Sequence, residues 1–110
     1  MKCCDSLQVL QASDNKLEAV PRELVACMKL RYLDVRANAI RSLPRDIGNL
    51  SKVEIADFSS NRICELPDSF GRMTSLRKLT LSGNRISGLP RTFGSLVHVT
   101  SLDLSASIYL

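Results

Sequence analysis

Few residues of this chain could do chemistry, and none is set beside a partner by a motif. The one histidine, His98, would need a positioned nucleophile and an orienting group to act as a general base. No Ser or Cys is tied to it by spacing, so it reads as a solvated loop residue. Cys3, Cys4, Cys27 and Cys64 lack both the paired spacing of a zinc site and the density of a secreted disulfide framework. Reduced thiols in the cytoplasm are the expectation, with the nucleus as the alternative. Cys4 and Cys27 could be bridged only if their backbones lay within about 7 Å; Cys27 reads more simply as a small apolar filler. Cys64 follows the core position Ile63, and a reactive role has no basis without a basic neighbour known in space. Acylation of Cys3-Cys4 has little support, because Lys2 stands where myristoylation needs glycine and no CaaX box ends the chain. Asp34, Asp57 and Asp103 could stack as a carboxylate row for a cation. Gln11 and Thr80 interrupt that row and Arg36 and Lys78 flank it, which favours a solvated face. No catalytic set, metal site or cofactor site emerges, and a non-enzymatic protein is expected.

The elements that position these side chains follow from one interval. Leu7, Leu30, Val53, Leu76 and Val99 are each 23 residues apart. Leu10, Leu33, Ala56, Leu79 and Leu102 form the next apolar column, and Ala12, Val35, Phe58, Leu81 and Leu104 the one after it. Asn15, Asn38, Asn61 and Asn84 share a column, followed by Leu17, Ile40, Ile63, Ile86 and Tyr109. Val20, Leu43, Leu66 and Leu89 each precede a proline, which accounts for all four prolines of the chain. Leu24, Ile47, Phe70 and Phe93, then Cys27, Leu50, Met73 and Leu96, complete the pattern. A fixed period of this size is the signature of a solenoid.

The run Leu76-Arg77-Lys78-Leu79-Thr80-Leu81-Ser82-Gly83-Asn84 has the form LxxLxLxxN and resembles the leucine-rich repeat. Its continuation through Ile86, Leu89-Pro90, Phe93-Gly94 and Leu96 is similar to the 23-residue LPxxIGxL variety of intracellular Ras-pathway scaffolds, Scribble-like polarity proteins and plant relatives. The resemblance covers essentially the whole chain. It implies an α/β leucine-rich repeat solenoid, with a curved parallel sheet on the concave side and short helical or 3-10 turns on the convex side. It also implies a protein-interaction module or scaffold in intracellular signalling, without naming a partner.

The residues support the same architecture independently. Leu79-Thr80-Leu81 alternates as a short strand with one buried face. Each Asn stands where the chain leaves a strand, and its amide can bond backbone groups of its own and the next coil, forming an asparagine ladder. Proline suits the first position of a helical turn, and Gly48, Gly71 and Gly94 suit its exit. Val25 occupies the glycine column of the first repeat, so a different return segment is expected there. One domain over 1–110 divides into a tail of a preceding repeat at 1–6, repeats 7–29, 30–52, 53–75 and 76–98, and a partial repeat 99–110. Ser107 replaces the ladder Asn, and neither end carries an evident polar cap. A segment of a longer array, or end-to-end self-association through uncapped ends, is the expectation.

Residues alternating with the core must project outward from the sheet. They form the columns Val9, Tyr32, Ile55, Lys78, Ser101; Gln11, Asp34, Asp57, Thr80, Asp103; and Ser13, Arg36, Ser59, Ser82, Ser105. Packing does not dictate their identities. The expected binding patch for a protein partner is Tyr32, Asp34, Arg36, Ile55, Asp57 and Lys78, since aromatic and Arg side chains anchor interfaces. Five strands about 4.8 Å apart, with about 10 Å of outward residues each, give a face of a few hundred Å², below the roughly 800 Å² per partner of a stable interface.

Composition narrows the remaining classes. Hydrophobic residues at 45% and charged residues at 24% exclude disorder in a chain of 110 residues. The longest apolar run, Leu24 to Met28, is far short of the roughly 20 residues of a membrane span, so no integral membrane association is expected. A net charge of +4 is mild, and with no Trp to stack on bases nucleic acid is not expected as a partner. Lys16, Arg62 and Arg85, and Arg22, Arg45 and Arg91, form basic rows that make a binder of anionic lipid or nucleic acid one alternative. A regulatory subunit of a phosphatase, ubiquitin ligase or small GTPase pathway is the other.

Overall fold

A computed structural model of the chain describes residues 6–106. Five three-residue strands, β1 (Val9–Gln11), β2 (Tyr32–Asp34), β3 (Ile55–Asp57), β4 (Lys78–Thr80) and β5 (Ser101–Asp103), pair in parallel in chain order. Register pairs such as Tyr32 with Ile55 and Ile55 with Lys78 lie one 23-residue interval apart. Between the strands the chain crosses to the convex side through 3-10 segments η1 (Arg22–Ala26), η2 (Ile47–Asn49), η3 (Asp68–Arg72) and η4 (Arg91–Ser95). Coil 1 is the stretch carrying β1 and η1, coil 2 the stretch carrying β2 and η2, and so on. Each η segment is opened by a proline carbonyl, as where Phe70 N–H donates to Pro67 O at 2.9 Å. In η1, η3 and η4 that proline stands immediately before the helical turn, one place ahead of its expected position.

The apolar columns fill the space between sheet and turns. Leu33, Ala56 and Leu79 meet Leu24, Ile47 and Phe70 in one continuous buried cluster. Phe70 stacks on Phe93 of the next coil with ring centroids 6.3 Å apart, and Phe58 packs against it at 6.2 Å in a tilted pair. Burying each such large side chain contributes about 1.5–3 kcal/mol. The columns are not uniformly buried. Leu89 and Leu102 are 41% and 42% exposed, because among the described residues no following coil covers them.

Among the described residues the amides of Asn38, Asn61 and Asn84 tie their own coil to the preceding one, not to the next as the sequence led us to expect, while Asn15 enters through its backbone N–H. Asn61 Nδ2 donates to Val35 O at 3.1 Å in coil 2 and to Phe58 O at 2.9 Å in its own coil, while its Oδ1 accepts from Ile40 N–H at 3.1 Å. Asn84 repeats this set one coil on, with Phe58 O, Leu81 O and Ile63 N–H. Asn38 accepts from the backbone N–H groups of Asn15 and Leu17.

The glycines also depart from expectation. Gly48, Gly71 and Gly94 lie within η2, η3 and η4 and not at their exits, and none has a positive φ. Gly48 and Gly71 are there for closeness, since a Cβ at Gly48 would fall on the carbonyl of Ser69 and one at Gly71 on Thr92. Left-handed backbone occurs one residue before each Asn instead, at Asp14, Ala37, Ser60 and Gly83, with φ from 55° to 70°. Only Gly83 adopts it without a Cβ penalty. Cys4, Ser107 and Tyr109, and the ends expected to be uncapped, lie outside the described residues.

Two measurements check this account. Asn61→Ala should destabilise by about 1–3 kcal/mol in chemical denaturation, because Val35 O, Phe58 O and Ile40 N–H lose a buried partner; an unchanged midpoint would remove the ladder from the stability argument. Gly83→Ala should lose about 1 kcal/mol from backbone conformation alone, since the nearest atom to the added methyl is the Ser60 nitrogen at an ordinary 3.4 Å. An unchanged stability would show that this turn tolerates a Cβ freely.

Candidate functional site

The outward face of the sheet is built by the strands' alternation. Leu33, Ala56 and Leu79 point into the core and are fully buried, so residues on either side in β2, β3 and β4 face away. Parallel register sets Val9, Tyr32, Ile55, Lys78 and Ser101 in one row across the five strands. Val9 is 54% and Ile55 36% exposed, with half-buried Tyr32 between them and exposed Lys78 beyond. A continuous row of two aliphatic side chains, an aromatic ring and a cation results.

The acidic row is less available than its alternation suggests. Asp34 is only 3% exposed, a correction to its expected place among the presented residues. Its Oδ1 accepts from the Arg36 backbone N–H at 3.2 Å, and its Oδ2 lies 3.6 Å from Arg36 Nε. Arg36, itself exposed, is therefore the group presented, and Asp34 is the group that orients it. Asp57 turns in the same way on Ser59: its Oδ1 accepts from the backbone N–H at 3.0 Å and from Oγ at 2.6 Å. Asp103 does so on Ser105, at 3.0 and 2.7 Å. An acid followed two residues later by a donor closes an Asx turn at the strand's end. That spacing is visible in the sequence as Asp-x-Arg and Asp-x-Ser, and it marks which carboxylates are already engaged. Among the described residues no three His, Cys, Asp or Glu side chains gather as a metal would require.

The other sequence candidates lie apart from this face. His98 is exposed, over a shallow 290 Å³ pocket lined also by Glu54, Ser75 and Arg77. Cys27 is buried, and exposed Cys64 has its Sγ 3.6 Å from Arg62 O. Lys16, Arg62 and Arg85 are exposed, as are Arg22, Arg45 and Arg91. The two ion pairs among the described residues, Arg31–Glu54 at 3.5 Å and Arg36–Asp34, leave all six of these basic groups unpaired. No helix among the described residues is long and apolar enough to cross a membrane. A groove of about 810 Å³ between η1 and the Leu43–Asp46 stretch leading into η2 was signalled in the sequence only by Val25 in the glycine column.

One acid carries a measurable mark of its turn. The Ser105 backbone N–H, and then its hydroxyl, hold the Asp103 carboxyl below its ordinary value. A depressed folded-state value favours the folded protein above the unfolded Asp value, and that contribution is lost as pH falls through the folded one. In an NMR titration Asp103 should therefore titrate below a free Asp, and Ser105→Ala should move it upward. An Asp103 unmoved by that substitution would mean that the hydroxyl does not hold the ionised form and that the backbone N–H alone does.

A profile of the leucine-rich repeat region matches residues 1–108. Among solved structures, a leucine-rich repeat protein of Leptospira interrogans is similar with a TM-score of 0.91 and 28% identity, over 94% of this chain and 26% of that one. The leucine-rich repeat domain of the type III effector XopL is similar with a TM-score of 0.80 and 21% identity, over 91% of this chain and 37% of that one, a likeness of fold alone. This chain thus spans about a quarter and about a third of the lengths of those two. No curated protein matches it. With strands in 23-residue register, an Asn amide bridging from each of coils 2, 3 and 4 to the coil before it and a family match over nearly its full length, the chain belongs to the leucine-rich repeat family.

Proposed function

We propose that this chain is a non-enzymatic protein-interaction module that takes a partner on its concave sheet face. The observation that carries the reading is the row Val9, Tyr32, Ile55 and Lys78, where exposed Val9 and Ile55 and half-buried Tyr32, none of them required by the core, stand beside Arg36 and Asp57. Aromatic and Arg side chains dominate interface energies when a partner desolvates them, and a face preformed by a sheet orders little on binding. Tyr32, Arg36, Ile55, Asp57 and Lys78 would make the contacts, with Asp34 holding Arg36 in place. A scaffold role in intracellular signalling is the setting we propose. The family fold supports an interaction module in general, and the cytoplasm, or the nucleus, is the location we infer from the cysteine pattern.

The six unpaired basic groups support a second reading, in which the exposed rows meet an anionic surface. Salt separates the two, because contacts with a dense anionic surface weaken steeply as ions compete. Affinity capture from cell extract with the immobilised chain should lose its specific partner on Tyr32→Ala with Ile55→Ala, by about tenfold or more, at an unchanged melting temperature. Retention by that double variant, with loss on Arg22→Ala with Arg45→Ala or on raising salt, would move the site to the basic rows.

A further inference from the structure

The convex seams between successive coils are not equivalent. Between coils 2 and 3 the contact is closed twice over. Gly48 leaves room for the Ser69 carbonyl where a Cβ would stand, and the Ser69 hydroxyl donates to Arg45 O at 2.6 Å while accepting from Gly48 N–H at 3.0 Å. Between coils 3 and 4, Gly71 lies against Thr92 in the same way, and Thr92 Oγ1 donates to Asp68 O at 2.5 Å.

Coils 1 and 2 lack both devices. Val25 stands in the column of Gly48 and Gly71, so η2 cannot come as close to η1 as η3 comes to η2. Asp46 stands in the column of Ser69 and Thr92, and an ionised carboxylate has no proton to give the Arg22 carbonyl. The groove left there measures about 810 Å³, against about 320 Å³ for the one between coils 2 and 3. Its charged lining, Arg22, Glu23, Arg45 and Asp46, makes no ion pair that would draw the walls together. On the sheet side the same two coils are fully tied. Ala12 N–H donates to Asp34 O at 2.8 Å, Tyr32 N–H to Gln8 O at 3.0 Å, and Asn38 Nδ2 to Ala12 O at 2.9 Å.

We propose that this seam is a hinge, on which coil 1 turns about the β1–β2 ladder as the η1–η2 groove opens and narrows. Val9 lies on the moving coil and Tyr32 and Ile55 on the fixed ones, so the turn changes the curvature of the apolar row. That consequence rests on reading the sheet face as the docking surface, whereas the hinge itself does not. Leu24 and Cys27 keep η1 in the core and Leu17 O accepts from Ala39 N–H at 2.7 Å, so the turn is a small one confined to the outer side, where elements held by few convex contacts open below the global unfolding free energy.

Hydrogen exchange on the free chain tests it without a partner. Leu24 and Cys27 amides of η1 should exchange at least about tenfold faster than their column equivalents Phe70 and Met73, all four being bonded to the carbonyl three residues before them. The double variant Val25→Gly with Asp46→Ser supplies the missing space and hydroxyl, and should slow Leu24 and Cys27 about tenfold while leaving Phe70 and Met73 unchanged. Equal wild-type rates in the two coils would overturn the hinge, as would an unrepaired coil 1 in a folded double variant, which would assign its exchange to its position at the end of the stack. Should the double variant not fold, Asp46→Ser alone must give part of the slowing, and no slowing overturns the proposal. Loss of partner capture by the sheet-face variants with these rates unaltered would support the docking reading separately.

Discussion

A strand of three residues cannot hold a stack together by its ladder alone, and the chain must turn sharply at the end of each strand with its carbonyls pointing inward. In coils 2, 3 and 4 one side-chain amide resolves both demands. Asn61 donates to carbonyls of two coils and accepts an N–H of the earlier one, and Asn84 does the same beneath Phe58 and Leu81. Buried polar groups of this kind cost heavily when unpaired, so the spacing between coils is set where the amide can reach both. The left-handed residue before each Asn is the backbone's part of that arrangement, and the 23-residue register of the sheet follows from it.

The convex side then decides how closely the far edges approach. Glycine removes a Cβ where the next coil's carbonyl must sit, and a hydroxyl bridges what remains. Curvature is thereby written coil by coil in two columns, glycine and Ser/Thr. A departure in both columns at one junction leaves it to the amide, the ladder, the buried core side chains and backbone bonds such as Ala39 N–H to Leu17 O. The sheet side stays in register while the outer side is free to differ, which links a sequence irregularity at Val25 and Asp46 to the shape of the opposite face.

That opposite face is the part of the molecule its own packing leaves undetermined. Alternation sends Tyr32, Ile55 and Lys78 outward whatever their identity, and a β-sheet would accept threonine at each. The acids beside them are partly spent on the fold: Asp34 orients Arg36, and Asp57 and Asp103 close turns on serines. What the face presents is an apolar row edged by one guanidinium, one ammonium and the remaining carboxylate oxygens.

Strand positions, core columns and the asparagine ladder were legible in the sequence, because each depends on residue type at a repeated interval and every coil restates it. Exposure and direction were not, because they depend on what the neighbouring coil places opposite. Leu89 and Leu102 belong to core columns yet stand exposed, Asp34 alternates outward yet is buried, and the Asn amides reach back to the preceding coil and not forward. Gly48 and Gly71 looked like turn exits, and only their distance to Ser69 and Thr92 shows that they are points of contact. Periodicity by itself determined which residues share a row. Tertiary packing decided how far apart the rows stand, since that distance is fixed by the atoms of two coils at once.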